Sequence, residues 1–173
     1  MEEIVIIFKP DLVARGLERE AFCLLMNRLI NAVPIYVKRT TLSKEKSRQH
    51  YNKDIGWMNK VGERIVKERR AEKLPITKTA KGYGKKILIE LYKYISSGPV
   101  LIVVFEGPNG LIDRAREIIG NTDPKKAAPD SLRYIFGLDS IQNGFHCSEN
   151  KSETEREKEI HFTKNELKHK LPL

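Results

Sequence analysis

Two apolar runs constrain this chain most: residues 3–8 read EIVIIF and residues 100–105 read VLIVVF. Both are short, rich in β-branched residues and apolar almost throughout, so each reads as a buried strand. Pro10 cannot donate to a ladder and stops the first near Lys9. Gly98-Pro99 opens the second. A third β-rich stretch, PIYVKRTTL, spans residues 34–42, and residues 140–148 include a short fourth strand. Between them, Phe22, Leu25, Met26 and Leu29 recur at helical spacing within residues 17–30. Further helices are expected over residues 43–51, 61–73 and 85–97. Another follows Leu111, Ala115 and Ile118 and stops at Gly120. A last one opens on a capping box from Ser152 to Glu155 and reaches Phe162, and Thr163 to Glu166 repeats the box before a polar tail. Few strands interleaved with many helices describe an α+β layout, one antiparallel sheet with helices flanking it, rather than a doubly wound sheet.

The length, 173 residues, fits one domain with a sizeable core. The longest uncharged stretch, residues 94–105, is too short to span a bilayer. Met1-Glu2-Glu3 puts no basic region before the apolar run, so no signal peptide is expected. Two cysteines, Cys23 and Cys147, make no disulfide framework and fit a reducing cytoplasm. The formal charge is +9, and residues 53–86 hold eleven Lys/Arg against four Asp/Glu. That segment reads as a basic insertion at about 53–84, with a charged helix followed by a loop-like stretch over residues 74–84. Its charge suits a polyanion such as nucleic acid, but a solvated surface excursion explains it as well.

No glycine cradle of the P-loop or dinucleotide-binding kind is present, and no Cys/His cluster has metal-ligand spacing. Residues 121–137 are long for a connection and lack a period, which marks them as a candidate site loop. His146 sits in Asn143-Gly-Phe-His146-Cys-Ser148. A hydroxyl two residues on and a carboxylate on the next helix are placed to orient one ring nitrogen, leaving the other as a nucleophile. Lys9, Arg116, Thr122 and Arg133 are the cations and donors that a phosphoryl group with several charged oxygens requires.

Together these residues resemble the nucleoside diphosphate kinase family. The resemblance rests on Val5-Ile-Ile-Phe-Lys9-Pro10-Asp11 with Arg15-Gly16-Leu17, and on Tyr94-Ile-Ser-Ser-Gly98-Pro99 with Glu106-Gly107. It continues in Arg116 to Pro124, Ala127 to Pro129, Arg133, Phe136-Gly137, Asn143-x-x-His146-x-Ser148 and Glu157. It covers about residues 3–52 and 85–162. It implies a ferredoxin-like sheet in a single domain, and ping-pong transfer of a γ-phosphate from a nucleoside triphosphate to a diphosphate. His146 would carry the phosphoryl group, and Glu157 with Ser148 would orient its ring. Lys9 would reach phosphates and sugar hydroxyls. Tyr51, Arg116, Thr122 and Arg133 would hold phosphate oxygens, Asn143 the ribose, and Ile87 the base. Mg2+ would ride on the phosphates, and the chain would form a homo-oligomer, a tetramer or hexamer, in the cytoplasm.

Four departures carry expectations of their own. Cys147 replaces the glycine usual after the histidine, and is expected to crowd the ring and to be open to oxidation or alkylation. Glu149 replaces an aspartate, and Tyr134-Ile135 replaces Gly-Asp. Ile87 stands where a phenylalanine stacks on the base, so Trp57 or Tyr83 is a candidate substitute. Charge on the basic segment, at Lys67, Arg69 and Arg70, is expected to draw nucleotide to the cleft. A nucleotide- or nucleic-acid-binding homologue with weak catalysis is the alternative. The complete polar set and the lack of an aromatic RNA-binding strand disfavour it.

Overall fold

The computed structural model describes residues 1–171, so residues 172–173 of the expected polar tail lie outside the described residues. The elements run β1 (Glu2–Phe8), α1 (Pro10–Ala14), α2 (Glu18–Arg28), β2 (Val33–Thr41), α3 (Lys44–His50), α4 (Ile55–Ala71) and α5 (Ala80–Ile95). They continue β3 (Pro99–Gly107), α6 (Leu111–Ile119), α7 (Leu132–Phe136), β4 (Phe145–Cys147) and α8 (Lys151–His161). The four strands form one antiparallel sheet in the order β2-β3-β1-β4, the ferredoxin-like arrangement.

Strand β1 is central, and Ile4 to Phe8 have no exposed surface. Alternation sends Ile4, Ile6 and Phe8 into one core and Val5 and Ile7 into another. Strand β3 splits its side chains the same way, with Val103 and Phe105 on one face and Ile102 and Val104 on the other. Helices α2, α6 and α7 cover the first face, with Leu25, Ala115 and Phe136 among the buried side chains. Helix α5 covers the second with Leu88 and Ile95, joined by Tyr51, Trp57, Met58 and Phe162. Burial of the sheet's centre on both faces explains why β1 and β3 are apolar almost throughout.

Three details differ from the sequence reading. Helix α8 begins at Lys151, and its N-cap is Asn150, whose side chain accepts from the Glu153 amide; the Ser152–Glu155 pair makes no cap. The Thr163–Glu166 box does form, each side chain accepting from the other residue's amide. The tail beyond it is docked on the sheet: the Tyr36 hydroxyl donates to the Leu167 carbonyl at 2.8 Å, and the Leu171 amide to that of Ile35 at 2.9 Å. Third, residues 80–84 are not loop but the first turn of α5, capped by Thr79.

The basic segment is therefore a helical hairpin. Helices α4 and α5 approach so closely that glycines are obligatory at the crossing. A Cβ on Gly62 would lie 1.7 Å from the Ala80 carbonyl oxygen, and one on Gly84 would lie 2.0 Å from that of Met58. The glycines that make this stretch look like loop are the reason that it is a tight helix pair. Among the described residues, no helix is long and apolar enough to cross a membrane.

Replacing Gly84 by alanine is expected to cost about 1–3 kcal/mol through overpacking. Thermal unfolding should show a midpoint several degrees lower. An unchanged midpoint would mean that these glycines do not set the helix spacing.

Candidate active site

Strand β4 has only three residues, and its pairing with β1 fixes which way each points. His146 lies opposite Ile7, while Phe145 and Cys147 face the first core. His146 therefore emerges on the other face, beside α3 and α8. Helix α8 presents Thr154, Glu157 and His161 inward, at i, i+3 and i+7. The Glu157 carboxylate reaches His146, with both oxygens 2.9 Å from Nε2. The Ser148 hydroxyl donates to Glu157 Oε2 at 2.7 Å and lies 3.2 Å from the Val5 carbonyl oxygen. A carboxylate accepts, so Nε2 carries the ring proton and Nδ1 keeps its lone pair. Nδ1 makes no hydrogen bond among the described residues. Burial, then the Lys9, Arg133 and Lys53 charges, hold the imidazole well below its usual pKa, so the ring is neutral near pH 7.

The ring opens into a cavity of about 440 Å³. Lys9, Tyr51, Arg116, Thr122, Arg133 and Asn143 line it with His146 and Glu157, and the buried Ser148 touches it only through Glu157. Asn143 links two walls: its Oδ1 accepts from Lys9 Nζ at 2.7 Å, and its amide donates to the Thr122 carbonyl at 2.9 Å. The Arg133 guanidinium is braced on the carbonyls of Gly120 and Phe145, at 2.8 and 2.9 Å. Its Nε and the Tyr51 hydroxyl are buried and have no partner. Buried polar atoms without partners are costly, and two of them beside this cavity point to a ligand that completes them. Burial raises the Tyr51 pKa, so the phenol remains a donor. Burial and the Arg133 charge bring Lys9 down to about 7.

Ile87 is not part of the lining. Leu91, one turn further along α5, and Trp57 of α4 form the apolar wall instead. Tyr83 is buried, and its hydroxyl accepts from the Thr77 amide, so it faces the hairpin rather than the cavity. Cys147 does not crowd the histidine, because alternation turns it to the opposite face of β4. Burial pushes its thiol up to about 12, which removes the expected reactivity. Lys67 and Arg70 line a separate recess on the hairpin, and Arg69 donates to the Pro75 carbonyl. The residues of the basic segment that reach the main cavity are Lys53 and Arg64.

Two further histidines escaped the sequence reading. His50 and His161 are buried, with Nδ1 of the first 3.1 Å from Nε2 of the second. The His50 ring packs edge-on against His146, with centroids 4.3 Å apart. The only signal in the sequence was position: His50 precedes Tyr51, and His161 stands one turn after Glu157. His50, His146 and Glu157 have ligand atoms within 4.8 Å of one another. Two nitrogens and one carboxylate do not suit Mg2+, which favours oxygen, and Glu157 is already engaged. The cavity's other carboxylate is Glu149, so the donor set fits an ion carried on phosphate oxygens rather than one held in a protein cage.

The profile of the nucleoside diphosphate kinase family matches residues 64–167. The nucleoside diphosphate kinase of Pyrobaculum aerophilum is 29% identical over 184 aligned residues, covering 96% of this chain and 98% of that one. That of Thermosipho melanesiensis is 42% identical over 84 residues, 49% of this chain and 56% of that one. A crystal structure of the P. aerophilum NDP kinase superposes with a TM-score of 0.86 at 27% identity, covering 95% of this chain and 97% of that one. The Aquifex aeolicus nucleoside diphosphate kinase gives 0.71 at 27% identity with the same coverage. Fold and sequence together define a nucleotide-binding phosphotransferase. The chain belongs to the nucleoside diphosphate kinase family. That family acts on nucleotides, uses divalent cations and is generally oligomeric.

Two measurements check the electrostatics. Thiol titration of the native protein should find one reactive cysteine, the exposed Cys23, and a second only after unfolding. Fast labelling of Cys147 in folded protein would contradict its burial. For Lys9, the sign is also fixed. At pH 8 a group with pKa about 7 is mostly neutral, and bound phosphate favours its charged form. Calorimetry of ADP binding in buffers of different ionisation enthalpy should show uptake of up to about one proton, lost in Lys9→Met. Heats independent of buffer would refute the lowered pKa.

Proposed function

We propose that this chain moves the γ-phosphate of a nucleoside triphosphate to a nucleoside diphosphate through a phosphohistidine at His146. The observation that carries this reading is the clamp of both Glu157 oxygens on Nε2, which leaves Nδ1 unprotonated and facing a cationic cavity. The Nδ1 lone pair attacks the γ-phosphorus in line, and the bond from phosphorus to the β-γ bridging oxygen breaks. The diphosphate leaves with that electron pair. In the second half-reaction the terminal phosphate oxygen of an acceptor diphosphate attacks the phosphohistidine, and His146 departs neutral.

Charge on Nδ1 in the transition state is met through Nε2–H by Glu157, which Ser148 holds in place. Tyr51, Arg116, Thr122 and Arg133 stabilise the equatorial phosphate oxygens. Lys9 gains its full charge beside phosphate, and Asn143 holds Lys9 and is available to the ribose. Mg2+ would be held by the nucleotide's phosphates rather than by a protein cage and would supply further charge neutralisation when bound. The working form is a homo-oligomer, a tetramer or hexamer, in the cytoplasm. Nucleic-acid binding is not favoured, since Lys53 and Arg64 turn into the cavity.

The test is a half-reaction. Protein mixed with magnesium and γ-labelled ATP, without acceptor, should take up acid-labile, base-stable label that excess GDP removes. His146→Ala should take up none. Glu157→Gln should label about 10–100-fold more slowly, because orientation of the ring is weakened. Label on a well-folded His146→Ala protein, or none on the wild type, overturns the reading.

A further inference from the structure

Helix α4 lies outside the sheet and its two cores except at Trp57 and Met58, yet it and the residue before its cap send three side chains into the main cavity. Lys53, just before the helix, is held near Tyr51 by its amide, which donates to the Tyr51 carbonyl at 2.7 Å. Asp54 caps the helix through the Trp57 amide at 2.8 Å, fixing where Trp57 begins. Trp57 and Arg64 are seven residues apart, about two turns, and so share one face. Near its far end, Glu68 lies 3.5 Å from Lys126, in the turn that follows Thr122. The helix thus crosses the mouth of the cavity from the Tyr51 side to the Thr122 side. Lys53 and Arg64 make no side-chain hydrogen bond or ion pair among the described residues. Lys53 is close enough for its charge to act on the His146 ring.

The geometry points to α4 as the outer wall of the nucleotide site, with Lys53 and Arg64 binding the polyphosphate and Trp57 packing on the base. This rests on the nucleotide reading of the cavity but not on phosphoryl transfer. Free cations facing an anion site gain charge-assisted contacts when the ligand arrives. Trp57 offers a flat apolar face where Ile87 does not reach, and stacking on it tolerates any base. Lys53 and Arg64 both line the cavity that His146 lines, so a phosphate there meets cations of the α4 segment as well as those of the core. The remaining charges of the hairpin, Lys67 and Arg70, face a different recess and serve as an internal control.

The experiment measures ADP affinity by calorimetry, with magnesium, for three proteins: the wild type, Lys53→Gln/Arg64→Gln and Lys67→Gln/Arg70→Gln. Both double variants remove the same charge. The first is expected to weaken binding about tenfold or more and to flatten its salt dependence. The second should change affinity less than about fivefold. Equal weakening in the two overturns the phosphate assignment. Trp57 is the single tryptophan, so its emission reports directly on the base. ADP should alter that emission with the calorimetric midpoint, in the wild type and in His146→Ala alike. Emission unmoved at saturating ADP overturns the base assignment. ADP binding that follows these expectations without labelling of His146 would remove the transfer mechanism and leave this wall in place.

Discussion

Glu157 is a carboxylate with 1% of its surface exposed, and much of the site follows from keeping it there. An unpaired buried charge costs several kcal/mol, so its partners are structural requirements as well as chemical ones. Ser148 and His146 approach it from β4 and the residue after it, Arg156 from its own helix at 3.7 Å, and His50 from α3 at 3.8 Å. Burial raises its pKa, while His50, the Ser148 hydrogen bond and Arg156 pull the other way. A one-residue slip of β4 against β1 would turn His146 into the first core and leave the carboxylate without its main partner. The three-residue strand is thus held in register from two directions, by Phe145 and Cys147 packing below and by Glu157 binding above.

The charges around the cavity oppose folding and favour binding. Lys9 is buried and Arg133 partly so; the Arg133 charge disfavours a charged Lys9, while burial and the Arg116 charge disfavour Arg133. Lys9 escapes much of that cost by its lowered pKa, and Arg133 by donating to two carbonyls. Arg64 and Arg116 stay in water. Tyr51 and Arg133 Nε keep buried donors unsatisfied. The buried donors and the crowded Lys9 and Arg133 are locally unfavourable on their own, and the anion proposed for this cavity would offset both. On that proposal, stability given up at the cavity would return as affinity at the same place.

The sheet was legible because its physics is local. Buried strands need apolar runs, Pro10 and Pro99 mark their edges, and two-faced burial leaves no alternation to misread. The helices that carry polar work were less legible. Thr154, Glu157 and His161 form an inward stripe that looks like a solvent face in any hydrophobicity pattern, and only the cavity explains it. His50 and His161 were invisible for the same reason: a buried histidine bonded to another histidine has no signature in composition. Cys147 was misjudged because adjacency in sequence is not adjacency in a strand, where neighbours point to opposite faces. Ile87 stands one helical turn from Leu91, the residue of α5 that lines the cavity, a displacement too small for spacing in the sequence to reveal.

The hairpin shows the limit of reading charge. Each lysine or arginine prefers water on its own, so a run of them reads as surface. Gly62 and Gly84 reverse that inference for one face of α4, because they let α4 settle against α5 at backbone distance. Once docked, α4 buries Trp57 and Met58 partly in the second core and cannot rotate to put every cation in bulk water. The face that looks over the cavity carries Trp57, half-buried, and Arg64, which reaches the cavity while its side chain stays in water. The helix therefore takes its place from two glycines and its chemistry from the cavity it crosses.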